Sequence, residues 1–244
     1  MPFLVAVAAT FFAAGLVKGV TGMGLPTVAM GVLGALLSPL AAASLLIVPS
    51  FVTNVWQLLA GPNLGVLVRR LWPMMLAIIL GTILGSSLLA GGDAGVTTGA
   101  LGAALVVYSI YTLFARQFRV TTRLEPRLSP LIGGATGLVT GGTGVFVIPA
   151  VPYLQALGLD KDDLVQALGL SFTVSTVALA TGLFWHGALQ FDNLALSALA
   201  IAPALAGMRV GQSLRARISP ATFRRWFLVA MLLLGAEMAS RAIF

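Results

Sequence analysis

The chain has no cysteine and one histidine, His186. The first absence excludes disulfides, thiol nucleophiles and cysteine-held metals. The second excludes the paired-histidine metal motifs. No Gly-x-Ser-x-Gly elbow is present either, so a hydrolase would lack its usual nucleophile turn. Charge is also scarce. Only 9% of residues are charged, against about 25% in an ordinary soluble domain. That is too few to cover a water-facing surface. No ten-residue segment alternates polar and apolar residues, which argues against a membrane β-barrel.

Apolar residues are abundant instead, at 59% of the chain. A bilayer core takes roughly 20 helical residues to cross. Residues 40–60, 71–90, 96–115, 164–185, 193–208 and 222–240 read as such spans or come close. The apolar start carries no basic residue before it, since Lys18 follows the run, so it reads as a retained segment and not a cleaved leader. The net charge of +7 reflects membrane-flanking arginines and not a nucleic-acid surface.

The two halves resemble each other. Residues 15–22 read GLVKGVTG and residues 137–144 read GLVTGGTG. Pro26 and Pro149 follow these runs. Ser50-Phe51 aligns with Ser171-Phe172, and Gly81 and Gly85 align with Gly207 and Gly211. An ordered series at a near-constant offset indicates a duplication.

Eleven of the fourteen basic residues cluster in three places: Arg69–Arg70, the linker with Arg116, Arg119, Arg123 and Arg127, and the group Arg209, Arg215, Arg217, Arg224 and Arg225. The positive-inside rule puts all three in the cytoplasm. The loops at 91–95 and 187–192 hold no Lys or Arg and should lie outside. Parity then requires that residues 131–158 make no net crossing. Gly141, Gly142, Gly144 and Pro149 break that stretch into a hairpin; Gly19, Gly22, Gly24 and Pro26 break residues 3–37 likewise.

The expected fold is therefore an all-α polytopic membrane protein of two inverted repeats. Each is a broken re-entrant helix hairpin followed by three transmembrane helices. Residues 1–115 form the first repeat, 116–130 the basic cytoplasmic linker, and 131–244 the second repeat. Eight plain spans with parallel halves is the alternative.

Backbone freed by Gly and Pro at membrane depth is tolerated only inside protein or beside a cavity. Proline suits the first turn of a helix, so each second arm should turn its N-terminus to the break. Such ends carry partial positive charge and free N–H groups, which suits an anion. The candidate anion site comprises Lys18, Thr21, Gly22 and Gly24 in the first half and Thr140, Gly141, Gly142, Thr143 and Gly144 in the second. Asn54 and Gln57 share a helix face beside it, as do Ser171 and Ser175. Lys18 is the single lysine inside an apolar stretch, where a charge is costly and marks function. The plain alternatives are tight helix packing for Gly and Thr and a snorkelling lysine. Gly81 and Gly85, and Gly207 and Gly211, read as helix contacts.

On GLVKGVTGMGLPTVAMGVLG at 15–34, GLVTGGTGVFVIP at 137–149 and FVTNVWQ at 51–57, the sequence resembles the TauE/SafE family of sulfite exporters. The resemblance runs over essentially the whole chain. It implies a multi-pass transporter of the bacterial inner membrane, carrying sulfite or an organosulfonate such as sulfoacetate, often outward. It implies no enzyme activity. The expected partners are a small anion, the bilayer and H+ or Na+ as coupling ion; no cofactor, metal or nucleic acid is expected. A passive anion channel and an intramembrane hydrolase are the rival readings.

Overall fold

The computed structural model describes residues 2–114, 118–215, 217 and 219–241. Arg116, assigned above to the linker, lies outside the described residues. The described residues form eleven helices: α1 (Pro2–Thr21), α2 (Leu25–Leu36), α3 (Pro39–Leu59), α4 (Leu64–Gly91), α5 (Ala94–Phe114), α6 (Glu125–Thr143), α7 (Ala150–Ala156), α8 (Lys161–Trp185), α9 (Phe191–Leu199), α10 (Ile201–Arg215) and α11 (Pro220–Ser240). No strand occurs among the described residues.

Among the described residues, six stretches are long and apolar enough to cross a membrane: α1, α3, α4, α5, α8, and the nearly continuous α9–α10 from Asp192 to Arg215. α1 is thus long enough to cross in full. α2 is apolar but shorter, at 12 residues.

Local chemistry sets the boundaries. Ser38 caps α3 by accepting from Ala41 N at 3.2 Å, and Pro39 occupies its first turn. Asp162 and Asp163 lie in the first turn of α8, where carboxylates offset the helix dipole. Pro49 inside α3 has no N–H for the carbonyl of Leu45. Ser197 of α9 supplies the missing donor at 2.6 Å and accepts from Val48 N at 3.2 Å. A helix defect thereby becomes an interhelical tie.

The glycines decide which helices touch. α1 lies along α10: a methyl on Gly19 would stand 2.9 Å from Gly211 Cα, and one on Gly15 would stand 3.0 Å from Met208 N. α6 lies along α4 in the same manner, where a methyl on Gly137 would stand 2.9 Å from Gly81 Cα. In both pairs the contacting numbers rise together, so the partners run parallel. Side-chain-free stripes bring backbones close and maximise dispersion contact where lipid offers no hydrophobic drive. α5 and α11 instead meet antiparallel, through Gly102 and Gly235. α3 and α8 also cross antiparallel, with Leu58 beside Gly169 and Ser50 beside Thr176.

One end of the bundle gathers the basic residues. There Arg70 of α4 pairs with Glu125 of α6 at 2.6 Å, and Arg70 Nη2 reaches the carbonyl of Leu157 at the end of α7 at 3.4 Å. Tyr153 of α7 hydrogen-bonds Ser129 of α6 at 2.7 Å. Gln166 of α8 donates to the carbonyls of Leu58 and Gly61 at 2.8 and 2.7 Å, which closes the α3–α4 turn.

Candidate functional site

Between α1 and α2 the chain leaves helical geometry for three residues. Gly22 and Gly24 take φ of 80° and 98°, which L side chains rarely adopt. Pro26 falls in the first turn of α2. α3 runs alongside this break. The Gln57 amide donates to the carbonyl of Gly22 at 3.1 Å and to that of Val165 in α8 at 2.9 Å. A carbonyl freed by the break is thus satisfied by protein, as its burial requires.

One turn along α3, Lys18 Nζ donates to Thr53 Oγ1 at 3.2 Å and to Asn54 Oδ1. Lys18 is 3% exposed and Thr53 and Asn54 are fully buried. The orientation of Asn54 is set from its other end. Its amide nitrogen donates to Ser50 at 3.0 Å and to Thr176 of α8 at 3.4 Å, which leaves the oxygen for the lysine. Thr53 likewise donates to the Pro49 carbonyl at 2.8 Å and turns a lone pair to the ammonium. Both lysine partners are neutral. No carboxylate pairs with Lys18 among the described residues, where the ion pairs are Arg70–Glu125 and Glu237–Arg241. Lys18 is also the sole buried cation among them. Thr53, Asn54 and Gln57 span one turn of α3, so the cation and the break lie within about one helical pitch of ~5 Å. Beside Gly22 nothing stands within 4 Å of where a side chain would begin, so the backbone there is approachable.

The structure thus brings Lys18, Gly22, Asn54 and Gln57 together, with Thr53 joining them. Thr21 serves its own chain: its hydroxyl lies 2.9 Å from Val17 O and 2.8 Å from Met23 O. Gly24 is lined by Val17 and Phe227. In the second half, Thr140 and Thr143 also bond to their own backbone, at Val145 O (3.3 Å) and Val139 O (2.6 Å). Gly141 faces the backbone of Thr82 to Ser86 in α4, where the missing side chain permits helix contact. Gly142 meets the Leu88 side chain, and Gly144, with φ of 71°, meets Met30. The second arm does not start as a helix at the break: residues 145–149 are non-helical and α7 has seven residues. Ser171 and Ser175 are fully buried, and neither hydroxyl has a hydrogen-bond partner. They lie on α8 next to Phe172 and Thr176, at the depth of the Asn54 contact. Gln166 and Ser197 carry interhelical bonds that sequence reasoning missed. Ser197 had a signal in Pro49, whose orphaned carbonyl needs a donor; Gln166 had none.

At the arginine-rich end a cavity of about 630 Å³ is lined by Pro62, Asn63, Gly65, Val66, Arg69 and Arg70. His186 is exposed at the end of α8, beside Trp185.

Among the described residues, an all-helical bundle with six apolar membrane-length stretches and a buried lysine without a carboxylate partner has the make-up of a multi-pass membrane protein. The chain matches the sulfite exporter TauE/SafE family over residues 7–238 and belongs to it. It is thereby a member of a family of membrane transporters for sulfite and related anions, not of an enzyme family. No curated protein and no solved structure matches the chain.

Proposed function

We propose that this protein exports sulfite or an organosulfonate from the bacterial cytoplasm across the inner membrane. The anion sits mid-membrane at Lys18, against the Gly22 break and the N-terminus of α2, with Asn54 and Gln57 ordering the wall. The buried, carboxylate-free Lys18 carries this reading. An unpaired charge held away from water costs several kcal/mol, so such a lysine is retained for a ligand that pairs with it.

Two inverted repeats support transport by alternating access. Under the near-constant offset, α1 corresponds to α6, α3 to α8, and α5 to α11. The antiparallel crossings of α3 with α8 and of α5 with α11 fit halves of opposite orientation. The exchanged pairs α1–α10 and α6–α4 fit halves that interlock. The burial of Lys18, Thr53 and Asn54 favours an occluded carrier over an open channel. Arg69 and Arg70 at the cavity mouth would draw anions to the cytoplasmic side.

The test is flux of labelled sulfite, sulfoacetate and thiosulfate in proteoliposomes, with and without H+ or Na+ gradients. Gradient-dependent, saturable sulfite or sulfoacetate flux is expected. Flux that grows linearly with concentration and ignores both gradients would mark a channel.

A further inference from the structure

We infer that the Lys18 site selects singly charged sulfur oxyanions over doubly charged ones; this rests on the reading of Lys18 as the anion's partner. The inference comes from counting charge in the interior. Among the described residues only Lys18 and Glu125 are charged and buried. Glu125 is neutralised by Arg70 at the arginine-rich end. On the elements packed around α1, α2 and α3 have no titratable side chain. α10 turns Gly207, Met208 and Gly211 toward α1 and leaves Arg209 and Arg215 exposed. α11 carries Arg224, Arg225 and Glu237, none of them buried, with Glu237 paired to Arg241. The site therefore offers at most one positive charge.

The remaining donors at the site, such as the backbone at the α2 N-terminus, are neutral. They can replace water around oxygen atoms but cannot cancel a charge. Adding a second charge to the ligand about doubles its attraction to a single cation. The cost of removing that ligand from water rises roughly fourfold, because the Born term goes as the square of the charge. With one cation available, the second charge loses more in desolvation than it gains in attraction. The substrate class is thus hydrogen sulfite or a monoanionic sulfonate. Sulfate and thiosulfate are rejected by charge although their oxygens have similar size and chemistry. Sulfoacetate, with a second charge on its carboxylate, binds more weakly than methanesulfonate.

The experiment compares four probes by thermal stabilisation and calorimetry on the purified full-length protein at a pH where the charges are unambiguous. Methanesulfonate and methyl sulfate are monoanions; sulfate and thiosulfate are dianions. Affinity for the two monoanions at least about tenfold above that for the dianions is expected. In Lys18→Met, monoanion binding should fall by at least about tenfold as well. Dianion affinity equal to or above monoanion affinity overturns the valence rule; if Lys18→Met still weakens binding, the anion site stands without it. Unchanged binding in Lys18→Met, or no binding of any probe to the wild type, overturns both. The wild-type comparison needs no variant, so it stands even if Lys18→Met fails to fold.

Discussion

Thr21 and Thr143 make the same pair of hydrogen bonds at the two breaks. Each hydroxyl donates to the carbonyl four residues back, Val17 at 2.9 Å and Val139 at 2.6 Å. Each accepts from the N–H two residues on, Met23 at 3.3 Å and Val145 at 3.2 Å. The hydroxyl closes the last turn of α1 or α6 and satisfies the first amide beyond it. Because both hydroxyls are spent on their own backbone, Thr21→Val and Thr143→Val should lower stability by about 1 kcal/mol each. Substrate affinity should change little. Melting temperature with and without substrate separates the two effects, and a large affinity loss at unchanged stability would return these threonines to the ligand.

Lys18→Met should leave the fold intact and weaken substrate binding. Methionine at membrane depth removes an insertion cost of ~2.5–3.5 kcal/mol. Against this, Asn54 Oδ1 loses its donor, at about 1–3 kcal/mol. The two roughly offset, so apo stability should shift by no more than ~1–2 kcal/mol. Lys18→Arg keeps the charge in a larger, forked head and should retain part of the binding. Size-exclusion profile and substrate-dependent thermal shift are the readouts.

Gly85→Leu and Gly211→Leu should lower folded yield. A methyl on Gly85 would stand 3.1 Å from Leu138 Cα, and one on Gly211 would stand 3.0 Å from Gly19 Cα. Both neighbours are backbone, which cannot rotate away, so whole helices must separate. Overpacking of this kind costs about 1–3 kcal/mol or more. Monodisperse yield in detergent is the measure; normal yield with altered transport would move these glycines into the site.

The absence of cysteine makes topology directly testable. Single cysteines at Asp93, Arg123 and His186, all exposed, can be probed with an impermeant thiol reagent in intact cells. Inverted halves predict labelling at 93 and 186 but not at 123. Labelling at 93 without 186 would place the two halves in parallel.

Arg70→Gln should destabilise the arginine-rich end. Glu125, 11% exposed at its side chain, would lose its charge partner, while Arg70 itself is 33% exposed. Solvent screening at the arginine limits the loss to about 1–3 kcal/mol, below the full cost of breaking a buried pair. Thermal melting checks it, and an unchanged melting temperature would show the pair to be structurally idle.

The helical class and the presence of apolar helices of membrane length could be read from the sequence because they depend on local composition. An apolar run of bilayer length has one stable outcome in lipid, and Gly-x-Gly with a following proline breaks a helix whatever surrounds it. Lys18 was legible for the same reason, as a charge within an apolar run. Asn54 could be placed beside it from its helix face, but the bonds from Lys18 to Thr53 and Asn54, and the Thr176 contact that turns the Asn54 oxygen to the lysine, depend on how α1, α3 and α8 are rotated against one another, which no single helix encodes. The repeated glycines show the difference most clearly. Gly19 and Gly141 sit in equal motifs beside the breaks, yet each is spent on a contact with a helix of the opposite half, Gly211 in one case and Gly85 in the other. A glycine reads the same in sequence whether a ligand or a backbone fills the space it leaves; only the packed bundle, where close contact between helices replaces the hydrophobic drive that lipid cannot supply, decides which.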